Sequence, residues 1–327
     1  MTQVNTVRGP ISVDDLGPTS IHEHFAFGYP GSDGDRTMWT YDQAQILARA
    51  TEMAADLRSS GLRTVFDLTP NDCGRDPVLL RTVAEENDLT IVCSTGYYYE
   101  GEGAPSYFKF RSIFADVTAE LTDLMVTELT EGIAGTGIKA GVMKVGTSEG
   151  VITDYETCIL KAAAAAQQVT GAPIITHTSG GTMGPQQARL LLDAGADPAK
   201  VVIGHMCGNV ADTTYQLATL RYGVGVGFDR IGLNKMFNDV TDDDRMDAVV
   251  SLMDLGYSAR IFLAHDAVNH WYGRSVQGFY DLPGAEHWST RRLGEYIVPG
   301  LLARGCSQAD VDGLLTANVR SLWAATS

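Results

Sequence analysis

Eight short apolar runs, each followed by a longer amphipathic segment, constrain this chain more than any other feature of its sequence. The runs cover residues 19–25, 63–68, 90–95, 140–145, 173–178, 200–206, 223–228 and 260–264. Most are rich in Val, Ile and Thr, which suits strands buried on both faces of a parallel sheet. Helical periodicity falls at about 41–59, 75–87, 114–134, 152–169, 183–195, 211–220 and 242–256, with further helices at about 289–303 and 307–323. Eight strand–helix units in a continuous chain of 327 residues predict an α/β fold of the (β/α)8, or TIM barrel, type rather than an open doubly wound sheet. No glycine-rich, proline-rich or charged linker interrupts them, so residues 1–327 are expected to form one domain. Residues 101–105 and 273–283 read as loops between a strand and its helix.

Composition removes several function classes. A net charge of -16 argues against nucleic acid or an anionic membrane as partner, since both demand basic patches. No apolar run reaches 18 residues and the first 30 residues carry no leader pattern, so a cytoplasmic protein is expected. The five cysteines (Cys73, Cys93, Cys158, Cys207, Cys306) are scattered without Cys-x-x-Cys spacing, the usage of reduced thiols. Cys93 and Cys207 adjoin apolar runs and read as small core residues. Neither a Gly-x-Gly-x-x-Gly turn after the first strand nor a Walker lysine supports a nucleotide cofactor. Gly223-x-Gly225-x-Gly227 reads as a strand passing close to neighbouring backbone.

The polar residues on this frame gather at one level. His22 and His24 sit at i and i+2 in the first run and share a face, with Glu23 pointing the other way between Ile21 and Phe25. Lys144 closes the fourth run, His177 the fifth, His205 the sixth, Asp229 and Arg230 the seventh, and His265 with Asp266 the eighth. In a barrel of this kind the C-terminal strand ends face the active site. Four of the seven histidines at such positions favour a metal site over satisfied core histidines. Lys144 lies within an apolar strand, where an unpaired ammonium is strongly disfavoured. It is either a buried lysine paired with Asp266 or Asp229, or a lysine carboxylated by carbon dioxide. In the second reading the carbamate bridges two divalent metals, His22, His24 and Asp266 serving one and His177 and His205 the other. Metals about 3.5–4 Å apart share a hydroxide that is nucleophilic at neutral pH.

Joint order and spacing make the sequence similar to a known family, the phosphotriesterase-like group of the amidohydrolase superfamily. The resemblance runs from Thr6-Val7-Arg8-Gly9-Pro10-Ile11 and Leu16-Gly17 through His22-x-His24, Ser94-Thr95-Gly96-Tyr97-Tyr98 and Lys144-Val145-Gly146. It continues with Pro173-Ile174-Ile175-Thr176-His177, Ile203-Gly204-His205, Gly227-Phe228-Asp229-Arg230 and His265-Asp266. It implies a binuclear metal barrel bridged by carboxylated Lys144, and a homodimer. The metals it implies are zinc, with iron, cobalt or manganese as alternatives that the same ligands accept.

Within that group the chain resembles the lactonase branch. Tyr98 stands where lactonases place a tyrosine beside the metal pair, and Arg230 where triesterases carry a relay histidine. Residues 267–282 are rich in aromatics (His270, Trp271, Tyr272, Phe279, Tyr280) and are expected either to line an apolar channel for an acyl chain or to pack on a dimer surface. One position departs from the family pattern: Gly208 replaces the aspartate expected three residues after the sixth-run histidine, with Asn209 and Asp212 nearby.

The resemblance implies a hydrolase that opens lactone rings, N-acyl-homoserine lactones above all, and hence quorum quenching. The metal-bridging hydroxide would attack the ring carbonyl while Tyr98 donates a hydrogen bond. Asp266 would carry the proton to the leaving alkoxide, and Arg230 would orient Tyr98 or the loop. The alternatives are a phosphotriesterase or promiscuous carboxylesterase using the same site, and a metal-binding barrel without catalysis that serves as sensor or scaffold.

Overall fold

The computed structural model describes residues 2–236 and 239–324; residues 1, 237–238 and 325–327, which the single-domain expectation also spans, lie outside the described residues. An antiparallel hairpin of β1 (Gln3–Thr6) and β2 (Gly9–Ser12) opens the chain, an element the strand–helix rhythm does not announce. The apolar runs then become β3 (Thr19–His24), β4 (Thr64–Asp67), β5 (Thr90–Thr95), β6 (Val142–Thr147), β7 (Ile174–Thr178), β8 (Val201–Ile203), β9 (Gly225–Phe228) and β10 (Ile261–Leu263). A two-residue β11 (Ala267–Val268) follows. Among the described residues these nine strands form one parallel sheet in the order β10-β9-β8-β7-β6-β5-β4-β3-β11. Its two edges, β10 and β11, are separated in the chain only by residues 264–266, so the sheet curls until its ends meet. That arrangement is consistent with a TIM-type barrel.

Helices surround the sheet: α1 (Gln43–Ser59), α2 (Pro77–Asn87), α3 (Pro105–Arg111), α4 (Val117–Thr130), α5 (Asp154–Thr170), α6 (Gly184–Asp193), α7 (Thr214–Leu220) and α8 (Asp242–Asp254). Their starts follow from capping chemistry. Asp76 accepts from the amides of Val78 and Leu79 ahead of Pro77, and Thr153 forms a reciprocal capping box with Glu156. The helix α3 arises where a plain loop is expected, beginning at Pro105. The C-terminal helices are broken by π-type turns at Leu293–Ile297 and Gly313–Ala317, which helical periodicity does not reveal. No helix among the described residues is long and apolar enough to cross a membrane.

Alternation along the strands divides the core into two layers. Val65, Ile91, Met143, Ile174, Val201, Val226 and Ile261 pack outward against the helices. Phe66, Val92, Val142, Ile175, Val202 and Phe262 pack together on the other face. The sequence places Ile21 with Glu23 and Phe25, but Ile21 joins the inner group while Phe25 joins the outer one. The cause is a register shift between Ser20 and Glu23 against β4, a bulge that turns the strand by one extra residue. The glycines of β9 behave as their spacing suggests. A Cβ on Gly225 would stand 2.5 Å from the Phe262 ring, and one on Gly227 would stand 3.2 Å from the Gly204 Cα.

The seam between first and last strands is closed by a buried carboxylate. Glu23 Oε1 accepts from the amide of His265 (3.2 Å), from its Nδ1 (2.5 Å) and from Ser20 Oγ (2.5 Å), and Oε2 accepts from Ala267 N (3.0 Å). Leu293 N donates to His265 Nε2 (3.1 Å), so that imidazole carries its proton on Nδ1, facing Glu23. Backbone bonds from Asp266 N to His22 O and from Asn269 N to His24 O, both 3.0 Å, continue the seam. Glu23→Ala removes the acceptor while leaving buried donors unpaired. It should lower unfolding stability by about 3–5 kcal/mol in urea titration, and a variant as stable as the parent would show that the seam closes without it.

Candidate metal centre

The inner layer changes character toward the C-terminal strand ends. Two residues beyond Val142 comes Lys144, two beyond Ile175 comes His177, and two beyond Ala264 comes Asp266. The pleat thus carries the apolar core series directly into the polar one. The neighbouring β3 adds His22 and His24 from the same face. His205 arrives differently. The strand β8 stops at Ile203, short of the expected 206, and His205 adopts a left-handed backbone (φ 57°) held by a hydrogen bond from its amide to Asp229 Oδ1 (2.7 Å). Asp266 is left-handed as well (φ 55°). Non-glycine residues in this region carry strain that concentrates at functional sites.

Asp266 is the hub. Its Oδ1 lies 3.3 Å from His22 Nε2 and 3.2 Å from His24 Nε2, and its Oδ2 lies 3.6 Å from His205 Nε2. Arg230 Nε donates to Oδ2 at 3.2 Å, so the guanidinium engages Asp266, a partner its sequence position does not disclose. Lys144 Nζ sits 3.0 Å from His22 Nε2 and donates to Thr176 O at 3.3 Å. Among the described residues it forms no ion pair with Asp229 or Asp266. His177 is brought beside this group: its ring centre is 4.6 Å from that of His205. Its Nδ1 lies 3.3 Å from Tyr98 Oη and its Nε2 2.9 Å from Ser179 Oγ, and it stacks on Tyr99. Single ligand atoms of His22, His205 and Asp266 lie within 4.8 Å of one another.

Burial sets the charge states. Desolvation, helped by the Lys144 ammonium, pushes His22 down to about 3. Burial also lowers His177, reinforced by His205 and Arg230, and lowers His205, reinforced by Arg230 against the pull of Asp229 and Asp266. Lys144 falls to about 8 because burial outweighs the pull of Asp266 and Asp229. Burial alone would raise the carboxyls of Asp266 and Asp229, but the surrounding imidazoles overcome it and hold both well below the usual range. Tyr98 is pushed well above its ordinary value by burial and then by Glu102, so its phenol keeps its proton.

Neutral imidazoles beside ionised carboxylates are the donor set that a divalent cation takes. His205 Nε2 is buried, faces Asp266 and has no hydrogen-bond partner. An orphaned lone pair of this kind is what a bound cation would satisfy. The residues present therefore fit a metal.

Above the cluster opens a cleft of about 430 Å³. Phe27, Tyr29, Tyr98, Trp271, Phe279 and Trp288 form its apolar wall, and His24, His177, Arg230 and Asp266 its floor. Of the aromatic loop, Trp271 and Phe279 reach the cleft. Tyr280 instead props Trp271, accepting from its Nε1 and donating to Val268 O, both at 3.0 Å. Tyr272 packs against Trp39 and Tyr41, and His270 against Tyr272. Gly208 lines the cleft, while neither neighbour supplies the carboxylate the family pattern expects there. Asn209 offers its carbonyl to Gln216, and Asp212 caps the amide of Thr214 at the surface. Two residues in contact with the histidines, Thr69 and Ser179, carry no sequence signal, and Asp229 carries only that of a charge ending an apolar run.

The sequence profile of the phosphotriesterase family matches residues 2–323. An organophosphorus hydrolase from Deinococcus radiodurans is 46% identical, with a TM-score of 0.95 covering 99% of this chain and 97% of that one. A mutant of a PTE-like lactonase from the same organism is 45% identical, with a TM-score of 0.94 covering 98% and 100%. The phosphotriesterase homology protein of Mycobacterium tuberculosis is 32% identical over 99% of this chain and 98% of its own length. With the curled parallel sheet and the convergent site already described, these likenesses establish that the chain belongs to the phosphotriesterase family, whose members are hydrolases.

Proposed function

We propose that this chain is a (β/α)8-barrel lactonase that depends on two divalent metals at the C-terminal ends of its strands. The observation that carries the reading is Asp266, ionised and shared by three imidazoles and Arg230 on the floor of an aromatic cleft. His22, His24 and Asp266 would hold one metal, His177 and His205 the other, with carboxylated Lys144 reaching both. An amine brought down to about 8 offers the neutral form that carbon dioxide requires. Zinc suits the donors best, with iron, cobalt or manganese able to replace it. When bound, the metals supply Lewis acidity and lower the pKa of water at neutral pH.

The chain's own residues do the rest. Asp266 takes a proton at a carboxylate oxygen and returns it to the leaving alkoxide. Its weak basicity favours passing the proton on over retaining it. Arg230 holds Oδ2 in place without itself titrating. Tyr98, its proton retained, donates a hydrogen bond toward charge that develops on the carbonyl oxygen. The aromatic wall suits an acyl chain, making an N-acyl-homoserine lactone the proposed substrate and quorum quenching the proposed role. Free cysteines throughout the described residues accord with a cytoplasmic setting. The organophosphorus hydrolase likeness favours a second reading, phosphotriester cleavage at the same site.

The homodimer that the resemblance implies has an apolar face available. Tyr107, Phe110, Ile113 and Phe114 are exposed together on and after α3, with the Phe110 and Phe114 rings 5.3 Å apart.

Asp266→Asn, with metal content measured on the same sample, should cut turnover of a long-chain N-acyl-homoserine lactone by about 10²–10⁴-fold; parent-like turnover with two metals per chain would remove the proton role. Paraoxon assayed in parallel should be the poorer substrate, and the reverse ranking would make this a phosphotriesterase. Metal removal exposes the imidazole linkage. Unfolded histidines titrate near 6.5, whereas His22 in the fold titrates at about 3. Between those values the unfolded chain binds protons the fold refuses, so the stability is complete above pH 6.5 and is lost as pH falls toward 3. Chelated protein should therefore show a lower urea midpoint at pH 5.5 than at pH 7.5, and equal midpoints would contradict the buried neutral imidazoles. Sedimentation should find a dimer that Phe110→Glu with Phe114→Glu converts to monomer; a monomeric parent would overturn this assembly.

A further inference from the structure

Asp229 is fully buried at the end of β9. Its Oδ2 lies 2.9 Å from His22 Nδ1, and its Oδ1 lies 3.1 Å from His205 Nδ1 while also accepting the His205 amide. An ionised carboxylate can only accept, so both imidazoles carry their protons on Nδ1. Their Nε2 lone pairs then face Asp266. Thr69 does the same for His24. Its hydroxyl donates to Ala26 O at 3.3 Å, which leaves a lone pair for His24 Nδ1 at 2.9 Å; were a metal to take Nε2 in place of its 3.2 Å bond to Asp266 Oδ1, Nδ1 would be the nitrogen that keeps the proton.

The place for the Asp229 carboxylate is built into the backbone. A Cβ on Gly204 or on Gly227 would stand 3.0 Å from Asp229 Oδ2, so larger residues at either position would press on it.

We infer that Asp229 and Thr69 are positioning residues that fix the protonated nitrogen of His22, His24 and His205 away from the metals, and that Asp229 does so for one ligand of each metal. The inference rests on the binuclear reading above. Orienting partners of this kind typically change metal affinity by about 10–100-fold when lost. The consequence for Asp229→Asn is asymmetric. The amide has one accepting oxygen, and the His205 side needs it twice, for backbone and ring. The amide NH2 therefore turns to His22, whose Nδ1 must become an acceptor and whose proton moves to Nε2, the ligating atom. His22 loses its lone pair for the metal, and His205 keeps its own.

The test uses the full chain in two forms. In metal-free protein, long-range nitrogen–proton NMR spectra of the imidazoles should show the Nδ1–H form for His22 and His205. Asp229→Asn should switch His22 alone. Reloaded with zinc and challenged with a chelator, the parent should retain two metals per chain and Asp229→Asn one. Thr69→Val, which removes the acceptor at constant shape, should weaken zinc retention by about 10–100-fold, and Thr69→Ser should restore it. A parent that holds two metals while Asp229→Asn and Thr69→Val also hold two as tightly overturns the positioning roles and leaves the metal reading standing. A parent that holds none overturns both. Should Asp229→Asn fail to fold, the Thr69 pair and the parent spectra decide the matter alone.

Discussion

Closure of the sheet by Glu23 is the constraint on which the rest depends. A parallel sheet whose last strand must meet its first needs directional bonds at the seam, because neither β10 nor β11 alone spans it. Glu23 supplies them from the outer face, gathering the amides of His265 and Ala267 and the ring of His265. Alternation along β3 then fixes what the inner face can do. With Glu23 turned outward, His22 and His24 are turned inward, and with His265 outward, Asp266 points in beside them. Closure and chemistry are the two faces of the same few residues.

The site's electrostatics follow from that enclosure. Water would let imidazole, ammonium and carboxylate each titrate near its ordinary value. Packed against one another at the mouth of an apolar core, His22, His177 and His205 become neutral, because a proton on any of these three rings would be both desolvated and next to Lys144 or Arg230, while Asp229 and Asp266 remain ionised. A set of lone pairs around an anion results, with His205 Nε2 left without a partner. That unsatisfied arrangement costs stability in the isolated chain, and a cation is the ligand that most simply relieves it. The strained backbones of His205 and Asp266 point the same way, since the fold sustains two left-handed non-glycine residues at this one place.

Much of this was legible in the sequence because period-two alternation and strand order are local signals. Val142 to Lys144 and Ile175 to His177 can be read from the alternation of each run alone, and those two side chains lie where the pleat puts them. Part of what the sequence concealed arises from departures from regular backbone, and the rest from contacts between residues far apart in the chain. The bulge after Ser20 moved Ile21 to the inner layer, and the left-handed turn at His205 ended β8 early. Neither leaves a compositional trace. Arg230 is expected from the sequence to orient Tyr98 or the loop; its bond to Asp266, which the sequence does not disclose, spans 36 residues and depends on how two loops approach. Thr69 is likewise an ordinary threonine until the fold sets it against His24. The π-type turns near the C-terminus preserve helical periodicity closely enough to pass unseen.

Were a cation to bind among these residues, its occupancy and closure of the sheet would be thermodynamically linked. His22 and His24 belong to the first strand and Asp266 to the last, so any cation they share ties together on the inner face the same strands that Glu23 ties on the outer. A site assembled only in the folded chain adds its binding free energy to folding. Here that energy would be delivered at the seam. The strand pairing β3 with β11 is two residues long, as are those of β5 with β6, β7 with β8 and β8 with β9, against the five-residue register between β6 and β7. Side-chain bonds on both faces compensate for that short ladder. Any cation held by His22, His24 and Asp266 would thus reinforce a short backbone ladder from the inner face, as Glu23 does from the outer one.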